Sequence, residues 1–131
     1  MSRHIHLFID AHVGLEPLAK EISSLLQINL ERHTDPYETW YEFHGPNTAL
    51  SLGVHEFEND EDLNFEAYLY EIELWVFNVY AAKEREQHLA DGAAVYQALR
   101  ATEKYPLLLV DDLQVKLAEY SPLTAPAVEP I

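Results

Sequence analysis

Cysteine is missing from this chain. Disulfides, thiolate nucleophiles and Cys-ligated zinc are thereby excluded, and a hydrophobic core must hold the fold without covalent staples. No apolar run approaches the length of a membrane-spanning helix. The opening MSRHIHLFIDAHVG is broken by His and Asp after a few apolar positions, unlike a signal peptide, so the expected location is cytoplasmic. Glycine is scarce, four in 131 residues, and no phosphate-cradling loop or dinucleotide fingerprint is formed from it. A nucleophile elbow and a metalloprotease helix are equally absent. No catalytic residue is assigned, no cofactor is expected, and the chain reads as a protein other than an enzyme.

The largest absence is of positive charge. No Lys or Arg occurs between His33 and Ala82, although that stretch holds eleven of the 23 Asp and Glu residues. It also holds most of the aromatics, among them Tyr37, Trp40, Tyr41, Phe43, Trp75, Phe77 and Tyr80. The formal charge of the whole chain is −15, so most of it resides here. A field of this sign repels nucleic acid and anionic lipid and attracts cationic protein surfaces. Neither nucleic acid nor membrane is therefore expected as a partner. The plainer alternative is a solvated acidic surface that maintains solubility.

At 131 residues and 48% hydrophobic composition, one domain with its own core is expected over residues 1–120. SPLTAPAVEPI reads as a Pro-rich tail over 121–131. Residues 3–11 place Ile5, Leu7 and Ile9 opposite His4, His6, Phe8 and Asp10, a strand with one face buried. Leu15, Leu18, Ala19, Ile22, Leu25 and Leu26 then follow helical spacing, with Pro17 in the first turn. Residues 28–33 are a short strand or a continuation of that helix. Alternation marks strands over 37–44 and 50–54, divided by the turn residues Gly45, Pro46 and Asn47. Residues 66–80 read as one long strand or two, with Tyr68, Tyr70, Ile72, Leu74 and Val76 on one face and Glu71, Glu73 and Trp75 on the other. A second helix is expected over 84–102, weakened in its middle by Gly92, and then one strand or two over 107–120. The expectation is an α+β fold, order β-α-β-β-β-β-α-β: a mostly antiparallel sheet of about five or six strands with two helices.

Three chemical readings compete. Asp60-x-Asp62-x-Asn64 opens like a calcium loop and Glu71 falls at its twelfth position, but Phe65 occupies the place that needs Gly. The spacing is therefore taken as accidental and no metal ligand is assigned. A metal-dependent enzyme or metal-binding protein remains the alternative, using His4, His6, Asp10 and His12 from the first strand or the carboxylates of the acidic loop. Surface His near a chain start more often has no such role. A DNA-mimicking inhibitor, with carboxylates in phosphate-like rows, is the third reading.

Around HEFENDEDLNFEAYLYEIEL the chain resembles small bacterial immunity proteins, the cytoplasmic antidotes of polymorphic or contact-dependent toxins. The resemblance lies in overall character from residue 3 to 120, a small, Cys-free, acidic α+β domain, and transfers no residue by position. It implies tight binding to one cognate toxin, often a basic nuclease domain, by covering its active site or a neighbouring surface, without catalysis. From the residues themselves, the expected contact set is Glu56, Glu58, Asp60, Glu61 and Asp62 on an exposed loop. Glu71, Glu73 and Trp40 join them from outward strand faces. Carboxylates would steer association and aromatics would anchor it, although Trp40, Trp75 and the tyrosines equally suit a core.

Overall fold

The computed structural model describes residues 4–60, 63–77 and 79–122. Among them it has strands β1 (Ile5–Ile9), β2 (Glu31–Thr34), β3 (Thr39–His44), β4 (Thr48–Val54), β5 (Tyr70–Val76), β6 (Leu107–Asp111) and β7 (Val115–Tyr120). Helix α1 is Leu15–Leu26, helix α2 is Ala81–Arg100, and a 3-10 turn spans Phe65–Ala67. The fold is α+β. All seven strands join one sheet in the order β2-β3-β4-β5-β1-β6-β7, and every neighbouring pair is antiparallel. The described strands thus exceed the expected five or six, because residues 107–120 form a separate hairpin and β2 is distinct. Asp112 and Leu113 both take positive φ, 55° and 59°, and Gln114 N donates to Asp111 O at 3.0 Å. That is a primed turn, whose twist suits a hairpin, within the three-residue connection between the paired Asp111 and Val115.

Both helices cover one face of the sheet. Ile5, Leu7, Ile9, Leu50, Leu52, Ile72, Leu74, Leu107 and Leu109 point to that face and pack with Leu18, Ala19 and Ile22 of α1 and with Val95, Tyr96 and Leu99 of α2. Full burial of each aliphatic side chain is worth about 1.5–3 kcal/mol, so this layer dominates the hydrophobic stabilisation. Helix α2 crosses β1 closely at Gly92, where a Cβ would stand 2.8 Å from Ile5 Cγ2. A glycine that weakens the helix by propensity is thus what lets helix and strand approach. At the N-terminal end of α2, Arg85 donates to both carboxylate oxygens of buried Asp111, at 2.9 and 2.5 Å.

The opposite face departs from the sequence reading. β1 is buried on both sides, not one. Phe8 lies under Leu63, Phe65 and Tyr68, beside Leu108 and Val110. Residues 55–60 and 63–69 therefore form a cover over the centre of this face. Tyr68, expected in line with Tyr70, instead follows the 3-10 turn and packs against Phe8, so the strand begins only at Tyr70. Burial raises the Tyr68 phenol to about 12, keeping it neutral. His55 locks the cover: its Nε2 donates to Tyr68 O at 2.6 Å, and its Nδ1 accepts from Phe57 N at 3.0 Å. Asn59 and Glu66 exchange backbone-to-side-chain hydrogen bonds at 2.8 and 3.2 Å. Apart from Ser121 and Pro122, the expected tail lies outside the described residues.

Candidate functional site

The helix-free face of the sheet carries the acidic and histidine side chains. Strand alternation puts His6 and Phe8 of β1 there, with His4 just before that strand, and Glu71, Glu73 and Trp75 from β5. The register sets His6 opposite Glu73 and Phe8 opposite Glu71. From β4 come Ala49, Ser51 and Gly53, opposite Trp75, Glu73 and Glu71. From β3 come His44, Glu42 and Trp40, the first two opposite Ala49 and Ser51. The small β4 residues make a trough between two polar ridges, and a Cβ on Gly53 would already sit 3.3 Å from Trp40 Cβ.

Each ridge is internally bonded. His4 Nδ1 lies 2.5 Å from Glu73 Oε2, and His6 Nδ1 bonds Glu71 Oε2. His4 also meets Trp75 edge to face, with ring centroids 5.4 Å apart. Across the trough, Trp40 Nε1 donates to Glu42 Oε2 at 2.6 Å, and His44 Nε2 lies 3.0 Å from Glu42 Oε1. Hydrogen bonds from His44 and Trp40 hold the Glu42 carboxyl below its ordinary range. Trp40 itself is half-buried and stacks on His33 of β2 at an interplanar angle of 15°. A hollow of about 470 Å³ adjoins this face, lined by His4, Glu42, His44, Trp75, Phe77 and His88, among others.

The cover segment forms the second part of the site. Glu56, Glu58 and Asp60 are exposed on it, and Glu61 and Asp62 lie outside the described residues. Exposed apolar side chains accompany them: Tyr37 (93% exposed), Val54, Phe57 and Leu69. Tyr37, Glu38, Val54, Glu56 and Phe57 share one shallow hollow, and Asp10, Glu56, Phe57, Glu58, Glu66 and Leu69 share the next. Phe57 and Glu56 belong to both, so the two form one continuous acidic, apolar patch.

Of the contact residues expected from sequence, Glu56, Glu58 and Asp60 stand free on the patch. Glu71, Glu73 and Trp40 instead sit half-buried in bonded ridges. The histidine set divides as well. Among the described residues, His4, His6 and Glu73 offer ligand atoms within 4.8 Å of one another. Asp10 and His12, 3.6 Å from each other, belong to the far end of β1 and do not join them. The pairing of His with Glu71 and Glu73 was missed in the sequence. Two same-face doublets, His4/His6 and Glu71/Glu73, were its visible signal, but only the register brings them together.

The Lys and Arg of the described residues lie on α1, α2, β2, β7 and the turn after α2, and none lies on β1, β3, β4, β5 or the cover. Several are spent on local ion pairs: Lys20 with Glu16, Lys83 with Glu86, Arg85 with Asp111, Lys104 with Glu21 and Lys116 with Glu119. Among the described residues no helix is long and apolar enough to cross a membrane. No family model, curated protein or solved structure matches the chain.

Proposed function

We propose that this protein is a binding protein that engages a cationic protein surface through the acidic patch of its helix-free side, and that it acts as an inhibitor of the immunity type. The observation that carries this reading is the segregation of charge. Glu56, Glu58 and Asp60 of the cover and Glu42, Glu71 and Glu73 of β3 and β5 share the helix-free side with exposed Phe57 and Leu69, on elements that carry no Lys or Arg. Lys116, opposite Val110, reaches this face only on the edge strand β7, where it pairs with Glu119. Glu56, Glu58 and Asp60 supply a field unneutralised by any neighbouring Lys or Arg of the cover, and Tyr37, Val54, Phe57 and Leu69 supply apolar area beside it. Charges of this kind chiefly raise the association rate and set specificity, whereas aromatic anchors contribute affinity. The proposed partner is a basic toxin domain. DNA mimicry draws no support from this arrangement: Glu42, Glu71 and Glu73 are engaged by histidines, and the free carboxylates sit on an irregular segment rather than in rows.

Co-expression with a basic toxin domain, sought first in the reading frame beside this gene, tests the reading. The wild type should restore growth, and the triple variant Glu56→Lys/Glu58→Lys/Asp60→Lys should not. With a catalytically dead form of that domain, stopped-flow association should slow by about tenfold or more and lose most of its salt dependence in the triple variant. Equal rates and equal salt slopes would refute the patch, and absence of protection by the wild type would refute the immunity role.

A further inference from the structure

A different feature of the same side carries an inference independent of partner binding. His4 and His6 alternate onto one face of β1, their ring centroids 6.4 Å apart. Glu73 of β5 stands directly across from His6 and reaches His4 Nδ1 at 2.5 Å. Two imidazoles thus bracket one carboxylate, with the ligand atoms of all three within 4.8 Å. Glu71, two residues earlier on β5, bonds His6 Nδ1. A carboxylate behind a histidine is the arrangement that fixes ring orientation and raises basicity in metal sites.

We infer that His4, His6 and Glu73 bind a divalent transition-metal ion of the zinc class, with Glu71 as the positioning residue for His6. Imidazole and carboxylate together suit such an ion, and three protein ligands leave a position for water or an exogenous ligand. His4 and Glu73 are both partly exposed, and His4 borders the hollow that also touches Trp75, so the site lies beside an accessible space on its His4 side. Tetrahedral bonds of about 2.0–2.1 Å set ligand atoms roughly 3.3 Å apart, so to admit the ion His4 and Glu73, now 2.5 Å apart, separate by about 1 Å and His6, within 4.8 Å of both, closes to the same spacing. The scaffold is rigid where this matters: β1 is buried along its whole length and paired on both sides. No Lys or Arg on β1, β4 or β5 competes for the two carboxylates. The competing description is two His–Glu hydrogen-bonded pairs that need no ion, and the two differ in a measurable way.

Untagged, chelator-treated full-length protein is titrated with Zn²⁺ by calorimetry and with Co²⁺ by visible absorption. The expected result is one Zn²⁺ per chain with roughly micromolar or tighter Kd, and Co²⁺ d–d bands of a low-coordinate N/O site. Glu73→Gln and the His4→Ala/His6→Ala pair should abolish both signals, with circular dichroism showing the fold retained. If the His pair fails to fold, Glu73→Gln alone decides. Glu71→Gln should keep the stoichiometry and weaken binding about 10- to 100-fold. The histidines around Glu42 serve as the control, and His33→Ala/His44→Ala should leave binding unchanged. Absence of heat and colour, or binding that survives in Glu73→Gln, would overturn the inference. So would binding that disappears in the His33/His44 pair instead.

Discussion

At the scale of the residue, His88 is the most exacting position. It sits on α2 at 2% exposure, and its Nε2 has no hydrogen-bond partner among the described residues. Burial pushes its pKa below the ordinary 6.5, and the nearby Glu84 does not compensate. The sign follows from linkage. The unfolded chain takes up a proton near 6.5 and the folded chain resists it, so the contribution to stability is fully present above that pH. It is lost as pH falls from 6.5 toward the folded value. Urea unfolding of the wild type should therefore weaken between about pH 7.5 and about pH 5.5, and His88→Leu should show a shallower decline over the same window. An identical pH dependence in the variant would contradict the buried, neutral state of His88.

At the scale of the element, the helix–sheet contact makes Gly92 informative. Helix propensity alone says that Gly92→Ala gains about 1 kcal/mol. The 2.8 Å approach to the β-branched Ile5, itself fully buried, says that the added methyl must displace a packed strand. Overpacking of this kind costs about 1–3 kcal/mol, so the net change is a loss of up to about 2 kcal/mol. Thermal melts of Gly92→Ala should show a lowered Tm, and an increase would mean that α2 rides further from β1. Gly92 was legible in the sequence only as a flaw in a helix; its reason lies on another element. The same holds for Tyr68. Alternation placed it with Tyr70, but Phe8 offered a second apolar surface that the 3-10 turn of Phe65–Ala67 could reach. Local pattern cannot register a partner sixty positions away along the chain.

At the scale of the whole molecule, a formal charge of −15 on 131 residues works against compactness. Self-repulsion among the carboxylates raises the free energy of the folded state, and added salt screens it within about 10 Å at 0.1 M. Raising NaCl from about 0.02 M to about 0.5 M should increase Tm by several degrees. A flat or falling Tm would imply that ion pairs such as Arg85–Asp111 outweigh the repulsion. The charge-reversal triple should show a weaker salt response for the same reason. Its carboxylates belong to the unneutralised side, so their removal lessens both the steering field and the strain it imposes.

The sequence by itself determined the class of the fold, the two helices, the single acidic stretch and the absence of thiol chemistry. These follow from periodicity and composition, which are local properties. Alternation in IHLFI and YEIELWV also set which side chains share a face. Only the tertiary structure decided that β1 lies inside the sheet between β5 and β6, that the segment after Val54 folds back over Phe8, and that His4 and His6 meet Glu73 and Glu71. The physical reason is that strand order and register arise from long-range pairing and from burial of β1 on both faces. No spacing within the chain encodes a hydrogen bond between residue 4 and residue 73.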